Sequence, residues 1–526
     1  MHNTDVAARC ALSITARCTP CARFPEQGPE ALNVGIASCA DARSYRLEIH
    51  PMHTLIAPSP PSLTQRCTRL LLTALVLLLT TANVQADVIL HAFNWPYATV
   101  EARAKQIADA GYRKVLVAPA YRSQGSAWWA RYQPQDLRVI DGPLGDTAAF
   151  SRMVQALANN GVQTYADVVL NHMANEAATR PDLNYPGSAV LSQYAANPGR
   201  YDSLRLFGTL QSNFLSASDF GPAQCISNYN DAYQVRNYRI CGGGSDPGLP
   251  DLVGNDWVVQ QQRAYLQALK GLGVSGFRVD AAKHMTFDHL NRVFDAGIRS
   301  GVYVFGEVIT GGGSGNGDYD QFLAPYLQST PHAAYDFPLF NAVRNAFAIG
   351  ASMQQLVDPA ASGQALPGNR AVTFAITHDI PNNAGFRYAI LDPVDETLAY
   401  AYLIGRNGGM PMVYTDNNES GDNRWVNAYQ RDDLRRMIGF HNGVQGTDMQ
   451  VLSSSACHIL FRRGSLGIVG INKCGNPVNT TVGMNNSVLY WNADYVDALG
   501  SGSVVRISSG SYTFTLPARG ARMWRR

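Results

Sequence analysis

The sequence predicts an α/β protein: a (β/α)8 TIM barrel, a domain inserted after its third strand, and a C-terminal all-β sandwich. Three observations carry this. Eight short apolar runs recur between residues 88 and 415, with helical patterns between most of them. About 105 residues, rich in Asn, Gly, Tyr and Pro, separate the third run from the fourth, too many for a plain loop. After about residue 442 the helical pattern stops and short strands such as HILFRR and LGIVGI begin.

Taken in order, residues 64–86 come first. Arg66 and Arg69 precede an apolar run from Leu70 to Leu79, and a small-residue exit ends in Val84-Gln85-Ala86. This is the pattern of a secretory signal cleaved after Ala86, with an apolar core too short for a comfortable membrane span. About 60 residues precede it, whereas Met52 would start a leader of ordinary length. Residues 1–86 are therefore read as leader, with the signal at about 52–86 and residues 1–51 as a mis-called start. The mature protein is expected to be secreted, extracellular or periplasmic, and free of the membrane.

The strands are read at VILHAF (88–93), KVLVAP (114–119), TYADVV (164–169), GFRVD (276–280), VYVFGE (302–307), AAYDF (333–337), VTFAIT (372–377) and PMVYT (411–415). Helical patterns such as 98–111 and 147–161 supply crossovers. The barrel then comprises 87–172 and 256–441, the insertion 173–255, and the sandwich 442–526.

Composition bounds the function. An apolar content of 46% and a charged content of 16% suit a globular protein with a sizeable core. A net charge of +2 argues against nucleic acid or an acidic polymer as partner. The 25 Tyr and 7 Trp suit carbohydrate stacking, although cores use the same residues. Of nine cysteines, four follow the leader: Cys225, Cys241, Cys457 and Cys474. In an exported chain these suggest two disulfides with three possible connectivities. Local pairing is simplest, because the two pairs lie more than 200 residues apart.

Polar residues gather at the C-terminal ends of the strands, where barrels keep their active sites. Asp167, Asn171 and His172 end strand three; Asp280, Lys283 and His284 end strand four. Glu307 ends strand five, and His378 and Asp379 follow strand seven. Arg278 and Asp280 share one face of a strand by its two-residue period, so the arginine can keep a semi-buried carboxylate ionised. Converging carboxylates without a nucleotide motif point to glycoside chemistry. Asp280 suits a nucleophile. Glu307, flanked by Phe305, Gly306 and Val308, suits a proton donor, and Asp379 would steady the transition state or bind hydroxyls. His289, His332 and His441 read as ordinary surface or core residues.

DVVLNH (167–172), GFRVDAAKH (276–284), FGEV (305–308) and FAITHD (374–379) resemble, in order, the four signature segments of the α-amylase family (glycoside hydrolase family 13). LPDL (249–252) resembles its fifth segment, and WWARYQP (128–134) the sugar-stacking loop of animal-type members. The resemblance implies retaining hydrolysis of internal α-1,4 bonds in starch and maltooligosaccharides, by a monomer. Asp280 would be nucleophile, Glu307 acid/base and Asp379 the third carboxylate. His172, His284 and His378 would bind hydroxyls, Tyr132 would stack in the central subsite with Trp129 beside it, and Lys283 would reach the aglycone side. It also implies a structural calcium held by Asn171, Asp251 and the backbone carbonyls of Arg236, in YNDAYQVRN (229–237), and His284: a hard-oxygen set. Arg278 matches one chloride ligand of chloride-activated relatives, but Thr377 stands where those carry Asn, which counts against chloride. An exo-acting or glucan-transferring enzyme, or a non-catalytic glucan-binding homologue, is the alternative.

Overall fold

The computed structural model describes residues 87–526; the leader and its cleavage point lie outside the described residues. All eight expected strands form. They are β1 (Ile89–Ala92), β2 (Lys114–Val117), β3 (Gln163–Val169), β4 (Val274–Asp280), β5 (Tyr303–Gly306), β6 (Ala333–Tyr335), β7 (Ala371–Phe374) and β8 (Met410–Thr415). Each pairs in parallel with its sequence neighbours, and β8 pairs with β1 to close the barrel. Strands buried on both faces are written as near-continuous apolar runs, which is why they were legible. The seventh stops three residues short of its expected end: past Phe374 the chain leaves the sheet and enters a short helix, Asp379–Asn382.

Amphipathic helices cover the barrel. In Tyr97–Asp109, Val100, Ala104 and Ile107 face inward; in Thr147–Asn159, Phe150, Met153, Val154 and Leu157 do so. The second of these starts at Asp146, whose side chain accepts the Ala149 N–H at 2.9 Å. Between β3 and β4 the chain makes helices Ser188–Ala196, Pro198–Leu204 and Ala232–Asn237 before the crossover helix Asp256–Gly271 returns to the barrel. Val139, Val190, Tyr194, Tyr201, Leu204 and Leu210 form a small core there. Cys225 and Cys241 are joined, Cα atoms 5.7 Å apart, as are Cys457 and Cys474 at 5.3 Å, which is the local pairing expected.

The C-terminal strands are β9 (Met449–Ser454), β10 (His458–Arg463), β11 (Gly467–Asn472), β12 (Val478–Gly483), β13 (Asp494–Asp497), β14 (Val504–Arg506), β15 (Ser511–Leu516) and β16 (Gly520–Arg525). Six form one antiparallel sheet in the order β9-β10-β11-β16-β13-β14, and β12 pairs with β15 in a second. Leu460, Ile468 and Trp524 of the large sheet pack with Phe514 and Leu516 of the small one. The alternate residues Ile459, Phe461, Val469, Ile471 and Met523 join the barrel core instead. The large sheet thus buries both faces. Helix Pro393–Gly405 lies against it so closely that a methyl group on Gly405 would sit 3.1 Å from Val469. Arg463 Nη1 donates to the carbonyls of Gly405 and Arg406 at 2.8 and 2.7 Å.

Candidate active site

The register of the barrel assembles the charged centre. Asp167 of β3 stands opposite Arg278 of β4, and Arg278 opposite Phe305 of β5. The fully buried guanidinium of Arg278 donates through Nη1 to both oxygens of Asp167 and to Asp280 Oδ1, each at 2.8 Å. Its Nη2 lies 2.5 Å from Glu307 Oε1. That contact is close but off the N–H axis, so it is electrostatic and leaves Nη2 without a hydrogen-bond acceptor.

Just past Asp280 the backbone turns left-handed at Ala281, with φ of 49°. A non-glycine residue there is strained, and the turn aims the Ala281 N–H at Glu307 Oε2, 3.1 Å away. Asp379 faces the same cleft, and its negative charge acts on Glu307.

Burial sets the protonation of this centre. It pushes Asp167, Asp280 and Glu307 up to about 7, against the pull of Arg278, and also raises Asp379. One guanidinium cannot offset four buried carboxylates, so the cluster holds protons at neutral pH and titrates as a unit. The charge of Asp379 adds to the desolvation that raises Glu307, which favours a proton on Glu307. With Glu307 neutral, its repulsion on Asp280 vanishes, and the pull of Arg278 then favours the charged form of Asp280. Two carboxyls with unlike environments are the requirement for acid and nucleophile.

A cleft of about 630 Å³ opens over these groups, and its walls include Tyr132, Trp129, Lys283, His284 and His378. The Tyr132 ring lies parallel to that of His378, centroids 5.2 Å apart, and its hydroxyl donates to Asp167 at 3.0 Å. Trp129 is 52% exposed at the rim. Burial lowers His172 and His284 to about 4 and His378 well below its usual value. All three are neutral rings at pH 7, suited to an uncharged, hydroxyl-rich ligand.

Their free valences differ. His172 Nε2 contacts the Tyr132 carbonyl at 3.0 Å and its Nδ1 faces the Asn171 amide at 3.5 Å, so it holds the Tyr132 backbone. His284 spends Nδ1 on the Val235 carbonyl at 2.9 Å and keeps Nε2. His378 Nδ1 is unpartnered. Lys283 is held by Asp318 at 3.0 Å and the Ile309 carbonyl at 3.2 Å. Trp128, Tyr229, Asn383 and Phe386 also line the cleft. Trp128 opens the WWARYQP segment and Tyr229 the YNDAYQVRN segment, but neither was singled out as a site residue; Asn383 and Phe386 lie outside every motif, and only their closeness to Asp379 hinted at them.

Among the described residues no three or more His, Cys, Asp or Glu cluster to hold a metal. The expected calcium set is of another kind, and the structure brings it together. Asn171, Arg236, Asp251 and His284 all line one cavity of about 130 Å³. Asp251 is buried, and its carboxyl is pushed well up by desolvation. No ion pair to it forms among the described residues. It does not cap the following helix either, because Asn255 does, accepting the Val258 N–H at 2.8 Å. A buried carboxylate with an amide oxygen and carbonyls around a small cavity fits a hard divalent cation.

Comparison with known proteins agrees with this geometry. The family model for the alpha amylase catalytic domain matches residues 100–302. An alpha-amylase from Aeromonas hydrophila is 54% identical over 437 residues, covering 82% of this chain and 94% of that one. The crystal structure of alpha-amylase I from Eisenia fetida superposes with a TM-score of 0.64 at 22% identity, covering 84% of this chain and 97% of that one. A mutant of the same protein in complex with maltohexaose gives 0.63, with the same identity and coverage. A closed barrel with carboxylates at its mouth, a matching catalytic-domain model and a relative sharing more than half its residues lead to one conclusion: this chain belongs to the alpha-amylase family.

Proposed function

We propose that this protein is an α-amylase that hydrolyses internal α-1,4-glucosidic bonds in starch and maltooligosaccharides with retention of configuration. The observation that carries the reading is the Arg278-centred cluster, in which Asp280 is bonded to the guanidinium and Glu307 stands beside it, both facing one cleft with Asp379. Asp280 attacks the anomeric carbon as Glu307 delivers its proton to the departing glycosidic oxygen. Glu307, now ionised, takes a proton from water, which attacks the same carbon and releases Asp280. Asp379 orients Glu307 and faces the sugar. Tyr132 offers its ring to a pyranose, with Trp129 further out. The neutral His284 and His378 exchange hydrogen bonds with hydroxyls, and His172 and Arg278 position Tyr132 and the carboxylates. Lys283 borders the leaving-group side.

Calcium held by Asn171, Asp251 and the carbonyls of Arg236 and His284 would tie β3, the insertion and the segment after β4 together. We read residues 173–255 as the inserted domain, the mature chain as a secreted monomer beginning at Asp87, and chloride as dispensable. Two disulfides support export, because they persist in oxidising compartments. The deciding experiment is the time course of products from soluble starch, with anomeric configuration read by NMR. Mixed oligosaccharides released early in the α form are expected; one dominant short product would indicate exo action, and β products would overturn retention.

A further inference from the structure

A second cavity of about 250 Å³ meets the catalytic cleft at Ile309, Asp379 and Phe386, which line both. Its far wall is built by helix Phe337–Phe347, which follows β6, and by the loop after β7. Of the signature segments only FAITHD reaches the cavity's outer side, through Thr377 and Asp379. From the helix come Phe337, Phe340, Asn341 and Arg344; from the loop comes Tyr388.

The chemistry of this wall is that of a sugar platform. Tyr388 is 70% exposed, yet it is not loose: the Arg344 guanidinium lies 4.9 Å from its ring centroid. Its ring is therefore open to a ligand at the edge of the cavity. Asn341 spends its amide hydrogens on the carbonyls of Thr310 and Phe337, at 3.1 and 2.8 Å, which leaves Oδ1 as an acceptor. Phe337 and Phe340 floor the cavity with apolar surface. An aromatic face, an apolar floor and a few fixed polar groups complement a pyranose, which has a C–H face and a rim of hydroxyls.

Its side of the reaction follows from its neighbours. Glu307 protonates the leaving oxygen, and Ile309 lies two residues further on. Lys283 is tied to the Ile309 carbonyl and to Asp318, and Asp318 lines the second cavity. The cavity therefore continues the cleft away from Asp280 on the leaving-group side.

We propose that it is an additional glucosyl-binding site of the glucan cleft, beyond the scissile bond, with Tyr388 as its stacking surface and Asn341 and Arg344 as its polar partners. This rests on the hydrolase reading above and adds to it a determinant of chain length. A substrate long enough to reach Tyr388 gains a contact that a short one cannot make.

The test compares wild type, Tyr388→Ala and Tyr388→Trp on two substrates: reducing-end-labelled maltoheptaose and a nitrophenyl maltotrioside. For Tyr388→Ala, the ratio of kcat/KM on the long substrate to that on the short one should fall about tenfold, the size of one lost aromatic contact. The labelled fragments should shorten, because register placing sugar at Tyr388 is no longer favoured. Tyr388→Trp should keep both the ratio and the pattern. An unchanged ratio and fragment pattern in Tyr388→Ala, with wild type active on both substrates, would overturn the site and leave the hydrolase reading standing. Wild type inactive on both would overturn the hydrolase reading and the site with it.

Discussion

Two buried arginines show how differently one side chain is used in this molecule. Arg138, beside the insertion's small core, meets one carboxylate: Nε and Nη2 each reach Asp136 at 2.9 Å, and Nη1 donates to the carbonyls of Thr209 and Ser212. Tyr194 adds a hydrogen bond to Asp136. Charge is balanced and all three nitrogens donate. Arg278, equally buried, faces Asp167, Asp280 and Glu307, makes every hydrogen bond through Nη1 and leaves Nε and Nη2 unpartnered. A satisfied pair holds a fold. An overcharged, underbonded one stores the unlike protonation states that acid–base chemistry draws on, which is why strained electrostatics gathers at functional sites.

The sharpest way to break this contrast is at the carboxylates. Asp280→Asn and Glu307→Gln should each lower kcat on starch by about 10⁴-fold or more while the circular dichroism spectrum stays native, since an amide can neither attack carbon nor deliver a proton. Near-native turnover in either would remove the residue from the mechanism.

The arginines come next. Arg138→Met should cost about 3–5 kcal/mol of stability in denaturant titration, because it leaves Asp136 buried and unpaired. Its rate per folded molecule should hold. Arg278→Met should instead lose its rate in protein that still folds. If the two variants behaved alike, the division between structural and functional arginine would fail.

Calcium removal should have a smaller effect. Binding at 100 times Kd adds about 2.7 kcal/mol to the folded state, so chelator should lower Tm by several degrees and added calcium should restore it. Asp251→Asn should need much more calcium for the same recovery. Identical melting curves for metal-free and calcium-loaded protein would remove the site.

The mildest change is with pH. As the proposed acid, Glu307 has to carry a proton, and it is pushed up to about 7, so kcat/KM should decline as pH rises through about 7. Asp379→Asn removes the neighbour that helps hold the proton, and the alkaline limb of its residual activity should move to lower pH. A limb that stays in place would mean that burial alone sets it.

Much of this was legible in the sequence because the barrel writes itself in apolar runs and its chemistry sits at fixed offsets from their ends. The two-residue spacing of Arg278 and Asp280 was enough to put them on one face, and the expected calcium residues, scattered from 171 to 284, do share a cavity. What escaped depends on atoms rather than residue types. No pattern tells that both nitrogens of His172 are taken by the backbone and amide beside it, or that Lys283 is held by Asp318. Asp167 read as one polar residue among several, because its claim on Arg278 exists only once β3 and β4 are in register. Tyr388 lay outside every motif, and only the fold carries it to the rim of a cavity.

The large C-terminal sheet has a bearing on modularity. With Ile459 and Phe461 turned into the barrel's core and Leu460 into the sandwich's own, β10 belongs to two hydrophobic interiors at once. A chain stopped before Met449 would bare the flank of helix Pro393–Gly405, and the domain produced alone would carry a stripe of Ile, Phe, Val and Met in water, a surface that invites aggregation. The seam between these parts is therefore not a linker along which genes can be cut and rejoined. A replacement sandwich, whatever its own stability, would have to bring a matching apolar face, and so this barrel can exchange partners only with relatives that have kept both sides of the seam.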